Sequence, residues 1–203
     1  PHILDPDVSY PNYVYETKVT VGLSDHYKKY AYNIIKYAGI NEGSFVVDLG
    51  SNDGTMLKAF KVIGMRVLGV EPNEQIAKIA NDNDLETIND YYSVVVADRI
   101  IKEHGKAMVI TANYMYANID NIIEFTQNVK KLLEPEGLFV FQTGYHPEQM
   151  KINMFDYIYH EHFSYFTVKV LRQLLENCGM EIVHVSLHSA KGGSIRVIVK
   201  HKN

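Results

Sequence analysis

Residues 153–167, with the sequence NMFDYIYHEHFSYFT, concentrate side chains that could move protons or bind a metal. Four consecutive positions carry Tyr159, His160, Glu161 and His162. Histidine titrates near neutral pH, so either imidazole could act as a general base, and a neighbouring carboxylate or phenol could fix its tautomer. An extended backbone would place Tyr159 and Glu161 on one side and the two histidines on the other.

Three interpretations of this segment compete. His160 and His162, together with His146, could chelate a metal, but no further ligand stands at a convincing spacing, and the sequence predicts no metal site. The aromatic and imidazole rings could instead form a half-buried interface without chemistry. The third interpretation, acid–base catalysis, is favoured because the segment follows a predicted strand and falls at the ligand-binding edge of the sheet.

The stretch VVDLGSNDG, residues 46–54, predicts a cofactor site in which a strand, a glycine turn and a helix follow one another. Gly50 permits a sharp turn, and Gly54 permits close approach of a ligand or a helix. Asp48 and Asp53 flank the turn and would repel a pyrophosphate, but they suit the sulfonium and ammonium groups of S-adenosylmethionine (SAM). The turn residues predicted to bind this cofactor are Asp48, Gly50, Ser51, Asn52 and Gly54.

Polar residues at the ends of the following predicted strands extend this site. Glu71 ends RVLGVE and can accept hydrogen bonds from both ribose hydroxyls, while Pro72 can lie against the adenine. Asn89 and Asp90, after a weak third strand, could contact the adenine amino group. Two more polar residues follow the fourth strand. The strand-end residues predicted to bind the cofactor are Glu71, Pro72, Asn89, Asn113 and Tyr114.

The elements that would position these residues alternate between strands and helices from residue 45 onward, which indicates a doubly wound α/β sheet. One of the helices is predicted over residues 119–137. The last two predicted strands, MEIVHVSLH and GSIRVIVKH, are separated only by a short SAKGG linker, so they should form an antiparallel hairpin. We therefore expect a Rossmann-like class I SAM-methyltransferase fold, with a mainly parallel seven-stranded sheet and an antiparallel terminal strand.

Composition narrows the class of protein. With 203 residues, 46% hydrophobic and 22% charged, the chain fits one soluble domain, and we expect residues 1–39 to be a lead-in and helix of the same domain as residues 40–203. A net charge of -4 argues against nucleic-acid binding. The single cysteine, Cys178, excludes an intrachain disulfide and favours a reducing cytoplasm. No apolar run is long enough to predict a membrane span. Because the chain begins with Pro1, we expect further domains to flank it in a longer polypeptide.

Four segments carry a resemblance to a known family: VVDLGSNDGTMLKAF, VLGVEP, FDYIYHEHFSYFT and KGGSIRV. They resemble the sugar C-methyltransferases, which methylate a carbon of nucleotide-activated 4-keto deoxysugars. The early YPNYVYETKVTVGLSDHYKKYA also resembles the segment that leads into the SAM domain of that family. The resemblance covers most of residues 8–200, and YHEHFSYF and GSNDGT are its distinctive parts.

The resemblance implies a mechanism in which a base removes a proton beside the keto group before methyl transfer. Tyr159, Glu161 and His162 match the family's active-site positions, and the role of base falls on His162. The family's cysteine-rich zinc domain and its further domain after this region have no counterpart here. The family often has histidine where this chain has Asn118. The sequence around Tyr145 and His146 also differs from that of the family, and these two residues could recognise the acceptor.

The predicted function is SAM-dependent C-methylation of a nucleotide-activated keto sugar, with S-adenosylhomocysteine (SAH) as the second product. Three alternatives remain open at this point: an O-methyltransferase for a sugar nucleotide or surface polysaccharide, a non-catalytic SAM-binding module of a larger protein, and an NAD-dependent oxidoreductase. Deuterium exchange beside the ketone separates C- from O-methylation, because only C-methylation requires that proton to leave.

Overall fold

The computed structural model of the chain describes Thr17 and residues 22–202. The strands of this part are β1 (Phe45–Leu49), β2 (Arg66–Val70), β3 (Thr87–Ile88), β4 (Ala107–Asn113), β5 (Leu133–Gly144), β6 (Met180–His188) and β7 (Ser194–His201). The α-helices are α1 (Leu23–Ala38), α2 (Thr55–Val62), α3 (Glu74–Asp82), α4 (Val94–His104), α5 (Ile122–Leu132), α6 (His146–Lys151) and α7 (Val168–Asn177). Short 3-10 turns cover Tyr116–Asn118, Phe155–Tyr157 and Ala190–Gly192.

The strands form one seven-stranded sheet in the order β3-β2-β1-β4-β5-β7-β6. The neighbours from β3 to β5 pair in parallel, whereas β7 pairs antiparallel with both β5 and β6. The prediction of a mainly parallel sheet with an antiparallel last strand is confirmed. Because β7 inserts beside β5, the hairpin that joins β6 to β7 turns at the edge where the parallel strands end.

Helices cover both faces of the sheet, which is why its central strands are mostly apolar. All five residues of β1 are buried. Val47 and Leu49 belong to a core cluster built around Tyr116, whereas Val46 belongs to a second cluster with Tyr30 of α1. Alternate residues of a strand point to opposite faces, so each cluster is the core between one face of the sheet and the helices that cover it. The domain therefore has three layers, helix, sheet and helix.

Helix α5 is shorter than the sequence indicates, and the prediction of a helix over residues 119–137 is wrong at both ends. The Asn121 side chain accepts a hydrogen bond from the Glu124 backbone N–H at 3.2 Å and starts the helix there. At the other end Leu133 already pairs with β4. Pro135 explains this early end, because proline disfavours the helical conformation of the residue before it.

The lead-in predicted for residues 1–39 is described only at Thr17 and from residue 22 onward, and Tyr10, Tyr13 and Tyr15 lie outside the described residues. Helix α1 ends just before Gly39, whose φ of 62° is left-handed, as is common directly after a helix. The boundary between residues 39 and 40 stays a prediction. Among the described helices, none combines the length and the apolar character needed to cross a membrane.

Candidate active site

A cavity of about 300 Å³ opens at the carboxyl edge of the sheet, beside the ends of β1, β2 and β4. Ligands of open α/β sheets bind at this edge. Among the described residues, the lining carries five acidic side chains and one lysine. They are Asp48, Glu71, Asp90, Asp120, Glu161 and Lys191. The cavity therefore suits a ligand that carries positive charge.

The turn after β1 forms the floor of this cavity. The backbone N–H groups of Gly50 and Ser51 both donate to the Val70 carbonyl, at 2.9 and 3.1 Å, and tie the turn to the end of β2. Gly50 has φ +68°, and a Cβ there would lie 3.1 Å from the Met115 side chain. A side chain at this position would therefore be strained and would crowd the cavity wall, so the predicted need for glycine follows from the geometry.

Glu71 is held so that both of its carboxylate oxygens face donors. One oxygen accepts the Asn52 N–H at 3.0 Å, and the other accepts the Asn73 N–H at 2.9 Å. The side chain is only 8% exposed, and burial raises the pKa of Glu71 while these two bonds lower it. Each oxygen keeps a free lone pair at the cavity wall, which is the arrangement that two adjacent ribose hydroxyls require.

Asp48 is a carboxyl group buried beneath the turn. The Thr111 hydroxyl donates to it at 2.5 Å, and only 3% of the residue is exposed. Burial raises the pKa of Asp48 from 3.8 to about 8, against the effect of the Thr111 bond and with a contribution from nearby Glu71. A cationic ligand in the cavity would favour the ionised carboxylate, so we expect binding of such a ligand at neutral pH to release a proton.

The raised pKa of Asp48 predicts a stability change with pH. The folded chain keeps a proton on Asp48 that the unfolded chain loses above about pH 4. The stabilisation of the folded state by this proton is therefore complete below pH 4 and is lost as the pH rises through about 8. Asp48→Asn removes the dependence and keeps an acceptor for Thr111. The free energy of unfolding of the variant relative to wild type is expected to rise by up to about 1.4 kcal/mol per pH unit between these limits. Urea unfolding at pH 5, 6, 7 and 8 checks this, and a constant difference would contradict it.

Two residues predicted to bind the cofactor are not in the cavity lining. Gly54 faces the core, where a Cβ would approach the Leu85 side chain to 2.6 Å and that of Ala80 to 3.3 Å. Asn89 donates to the backbone carbonyls of Glu71 and Pro72, at 3.0 and 2.9 Å. Gly54 therefore allows close helix packing, and Asn89 supports the strand end that carries Glu71, while a contact of either residue with the cofactor stays a prediction.

Gly54→Ala is therefore expected to destabilise the fold. The substitution places Cβ against Leu85 at a left-handed φ of +78°, and an alanine in that conformation alone costs about 1–2 kcal/mol. Gly39→Ala is the matched control, since Gly39 is also left-handed but a Cβ added there would have no atom within 4 Å. Urea unfolding should show a larger loss for Gly54→Ala than for Gly39→Ala. Equal losses would refute the packing role.

Several lining residues were not assigned from the sequence. Tyr91 and Tyr92 lie just after β3, beside Asp90, which was considered as an adenine contact, so the strand-end rule could have found them with a better boundary. Thr17 and Tyr27 reach the cavity from the N-terminal side, and Thr17 donates through its backbone N–H to the Asn52 side chain at 2.8 Å. No local pattern marks these two positions. The remaining unassigned residues with polar or large side chains include Met115, Ile119, Asp120 and Lys191.

The segment around His162 is a turn, so the predicted alternation of its side chains is wrong. The His162 N–H donates to the Tyr159 carbonyl at 3.2 Å, and the next two N–H groups both donate to the Ala117 carbonyl. This bends the chain and brings the Tyr159 ring to 4.3 Å from the His162 ring, between centroids. Glu161 lines the cofactor cavity, whereas His160 is exposed. The turn therefore separates the two histidines, and only His162 faces the site.

The hydrogen bonding of His162 defines its tautomer. Its Nδ1 lies 3.0 Å from the Tyr157 carbonyl, which only accepts, so in the neutral ring Nδ1 carries the proton and Nε2 carries the lone pair. Burial lowers the pKa of His162 below its usual value, and Lys191 also lowers it, while Tyr157 and Glu161 raise it. The imidazole is therefore neutral at physiological pH and can accept a proton on Nε2.

A second cavity of about 50 Å³ lies beside the His162 imidazole and adjoins the larger cavity. Its lining includes Tyr159 and His162, and it shares four residues with the larger cavity. The shared residues are Tyr114, Asn118, Glu161 and Lys191. The ring of His146, considered above as a metal ligand, lies 5.6 Å from the Tyr165 ring, between centroids, in a tilted arrangement. Among the described residues, no three histidine, cysteine or acidic side chains gather as metal ligands.

The residues of the large cavity fit SAM. The Ser51 hydroxyl is buried there without a hydrogen-bond partner among the described residues, and a polar ligand would satisfy it. The acidic lining matches a sulfonium and an ammonium group, and Glu71 is placed for a ribose. Pro72 and Tyr91 offer flat apolar surface beside it. Bound SAM supplies an electrophilic methyl group.

Comparison with known proteins agrees with this geometry. A family profile described as "Methyltransferase domain" matches residues 24–185. The chain is 37% identical over 196 residues to the C-methyltransferase NovU of Streptomyces niveus, a match that covers 97% of this chain and 47% of NovU. The chain thus spans about half the length of that relative.

Solved structures with the same fold are methyltransferases as well. The magnesium protoporphyrin IX methyltransferase of Synechocystis PCC 6803, crystallised with SAH, superposes with a TM-score of 0.69 at 12% identity over 90% of this chain and 84% of its own. A SAM-dependent methyltransferase of Clostridium acetobutylicum gives a TM-score of 0.68 at 9% identity over 89% and 92%. At such identities the likeness shows the fold. The family match counts against the oxidoreductase alternative: the chain belongs to the methyltransferase domain family.

Proposed function

We propose that this methyltransferase acts on a carbon next to the keto group of a nucleotide-activated sugar. The observation that carries the proposal is the neutral His162 imidazole, with its lone pair on Nε2, in a small cavity that shares a wall with the cofactor cavity. An oxygen acceptor needs only modest help from a base, whereas a carbon acid must lose its proton before it can attack a methyl group. The name of the similar NovU, a C-methyltransferase, points the same way.

In this proposal His162 is the general base. Its Nε2 takes the proton from the carbon beside the ketone, the C–H electron pair forms a carbon–carbon double bond, and the carbonyl electrons move to oxygen. The enolate carbon then bonds to the transferred methyl group, and SAH leaves. The imidazolium is stabilised by the Tyr157 carbonyl on Nδ1 and by the nearby Glu161 carboxylate, the two groups that raise the pKa of His162.

Tyr159 and Glu161 have supporting roles in the proposal. The Tyr159 ring lies against the imidazole and limits its rotation, although 43% of the residue is exposed at the mouth of the small cavity. Glu161 lines both cavities and therefore stands where acceptor and cofactor meet. A positioned base of this kind contributes about 10²–10⁴-fold to the rate of proton transfer reactions.

The cofactor-binding residues are also part of the proposal. Glu71 would accept the ribose hydroxyls, Asp48 would balance the ammonium group, and Ser51 and Asn113 would use their buried polar atoms on the same ligand. Further proposed contacts, all in the cavity lining, come from Gly50, Asn52, Pro72 and Tyr114.

The partner in this proposal is a nucleotide sugar rather than a free sugar. The small cavity has a volume of about 50 Å³, which accommodates a reacting group but no nucleotide. NovU is about twice as long as the region it shares with this chain, so we propose that further domains complete the nucleotide site. Asn118, which lines both cavities, is placed to influence which sugar atom is presented.

The proposal is tested by proton exchange in deuterium oxide. The protein, with SAH but no SAM, is incubated with a panel of nucleoside-diphospho 4-keto-6-deoxyhexoses, and deuterium beside the ketone is read by NMR. The proposal predicts exchange that His162→Ala abolishes. Methyl transfer from SAM without exchange would establish the O-methyltransferase alternative. Tight SAH binding with neither exchange nor transfer on any acceptor, in a chain rejoined to its flanking domains, would establish a non-catalytic module.

A further inference from the structure

The hairpin between β6 and β7 brings a cation to the wall between the two cavities. Lys191 lies in its turn and is in the lining of both the cofactor cavity and the small cavity that contains His162. Every other charged side chain described in these two linings, apart from the imidazole, is a carboxylate. This ammonium group lies among carboxylates, where the acceptor and the methyl group must meet. Its position indicates a role other than cofactor binding.

The ammonium group of Lys191 packs on the ring of Tyr114. It lies 4.1 Å from the centre of the Tyr114 ring, within the range of a cation–π contact. The Tyr114 hydroxyl accepts a hydrogen bond from the Gln142 amide at 2.5 Å, and the Gln142 oxygen accepts one from Arg196 at 2.9 Å. Strands β5 and β7 thereby hold the ring under the lysine side chain.

The backbone of the hairpin is also held in an unusual shape. Lys191 has φ 50° and ψ 45°, the left-handed conformation that non-glycine residues rarely adopt. The next two residues are glycines, and a Cβ at Gly192 would overlap Met154, while one at Gly193 would come within 2.9 Å of Glu148. The turn therefore packs directly on the segment that leads to the catalytic turn. Strained positions that persist in this way are concentrated at functional sites.

The surroundings of the ammonium group favour a role in catalysis. The residue keeps exposed surface and lines both cavities, so an acceptor in the small cavity can reach its side chain. Desolvation there lowers the pKa of Lys191, and its charge in turn lowers the pKa of His162, which keeps the base neutral. A partly desolvated cation close to the general base can stabilise negative charge that forms when the base accepts its proton.

We propose that Lys191 is a further catalytic residue whose ammonium group stabilises the negative charge on the acceptor's carbonyl oxygen while His162 removes the neighbouring proton. This inference rests on the proposed function, since an oxyanion forms on the acceptor only if carbon is methylated. In the balanced step the proton moves to Nε2, the C–H electron pair becomes the enolate double bond, and the carbonyl electron pair moves to the oxygen beside Lys191. No oxidant or reductant takes part.

The test compares Lys191→Met, Lys191→Arg and the control Lys169→Met, which replaces an exposed lysine of α7 outside both cavities. The first readout is deuterium exchange beside the ketone, with SAH bound and with the keto sugar that wild type exchanges. Lys191→Met should slow exchange by about 100- to 1,000-fold, as expected for loss of an oxyanion donor. Lys191→Arg should recover most of the rate, because it keeps the charge, and Lys169→Met should equal wild type.

A second readout needs no acceptor. NMR titration of the His162 imidazole, assigned with His162→Gln, should show a higher pKa in Lys191→Met than in wild type, because a repelling charge is removed while Glu161 remains. Calorimetric affinity for SAH should stay unchanged. A purely structural role would not produce this combination of a slower exchange, a raised imidazole pKa and intact SAH binding.

Each contrary outcome is distinct. Exchange in Lys191→Met at the wild-type rate would overturn the inference and leave the proposed function standing. A parallel loss of SAH affinity would make Lys191 a cofactor ligand. A rise in KM with unchanged kcat would make it a ligand of the sugar's phosphates. Either result overturns the inference. Wild-type protein that transfers methyl groups without exchange would overturn the proposed function, and the role of Lys191 with it.

Discussion

His162→Gln is expected to lower kcat by about 100- to 10,000-fold while leaving SAH affinity unchanged. Glutamine has nearly the length of the imidazole and can donate to the Tyr157 carbonyl, which now accepts from Nδ1 at 3.0 Å. It has no group that titrates near neutral pH, so the acceptor's proton has nowhere to go. Steady-state turnover with the keto sugar and calorimetric SAH titration measure the two quantities separately.

His160→Gln is the matched control for this prediction. It makes the same change two positions earlier, on a side chain that is exposed and lies in neither cavity lining, so activity should stay at the wild-type level. The pH profile gives a second check. Because burial lowers the pKa of His162, kcat/KM should rise with pH along a limb centred below 6.5, and it should fall again where Lys191 loses its proton. Comparable losses in both variants would contradict the assignment of the base.

Glu71→Gln is expected to weaken SAH binding by about 10- to 150-fold, the range set by 1.5–3 kcal/mol for hydrogen bonds to a charged group. The carboxylate accepts the Asn52 and Asn73 N–H groups, one on each oxygen, and turns its remaining lone pairs toward the cavity. Glutamine keeps one such oxygen and places an NH₂ group against the other backbone donor. One ribose hydroxyl then loses its acceptor, and the wall loses its charge.

Glu74→Gln serves as the control, since it removes the same charge three residues later, in the exposed first turn of α3. Calorimetric titration with SAH at constant pH and salt compares the two variants, and urea unfolding verifies that both are folded. The expected pattern is a large loss of affinity for Glu71→Gln and none for Glu74→Gln. An unchanged affinity in the first variant would show that the ribose binds elsewhere.

Sequence patterns were sufficient where the determining contacts are local. The β-branched run of β1 is buried on both faces, and the short link between β6 and β7 leaves no room for a parallel crossover, so the sheet and its antiparallel last strand were predictable. Glu71 was found because a buried strand ends one residue before it. The start of α7 is equally local, since the Thr167 hydroxyl just before it accepts the Val170 N–H at 3.3 Å.

Features that depend on contacts distant in sequence were missed or wrong. The turn at Tyr159 to His162 is fixed by the Ala117 carbonyl, more than forty residues earlier (162 − 117 = 45), and nothing in the local pattern excludes an extended strand. The close approach of Leu85 to Gly54 was also missed, because a glycine in a turn motif does not reveal which side chain packs against it. The left-handed conformation of Lys191 and its contact with the Tyr114 ring likewise arise only in the folded chain.

The fold does not determine which atom of the acceptor is methylated. The superposable structures share the sheet at 9–12% identity, and the fold alone carries no information on the acceptor, so in the proposed function the choice between carbon and oxygen is made by side chains at the small cavity. A base that is neutral at physiological pH, a carboxylate beside it and an ammonium group across from it are what enolate chemistry requires. His162, Glu161 and Lys191 supply these groups within one small cavity lining.

The most direct test of this account is the position of the transferred methyl group. SAM carrying a ¹³C-labelled methyl is incubated with the chain, joined to its flanking domains, and with a nucleoside-diphospho 4-keto-6-deoxyhexose, and the product is examined by proton–carbon correlation NMR. The account predicts that the labelled methyl is bonded to the carbon next to the ketone, with long-range couplings to that carbonyl. A labelled methyl bonded to oxygen would contradict it, and would leave His162 and Lys191 without the roles argued for them.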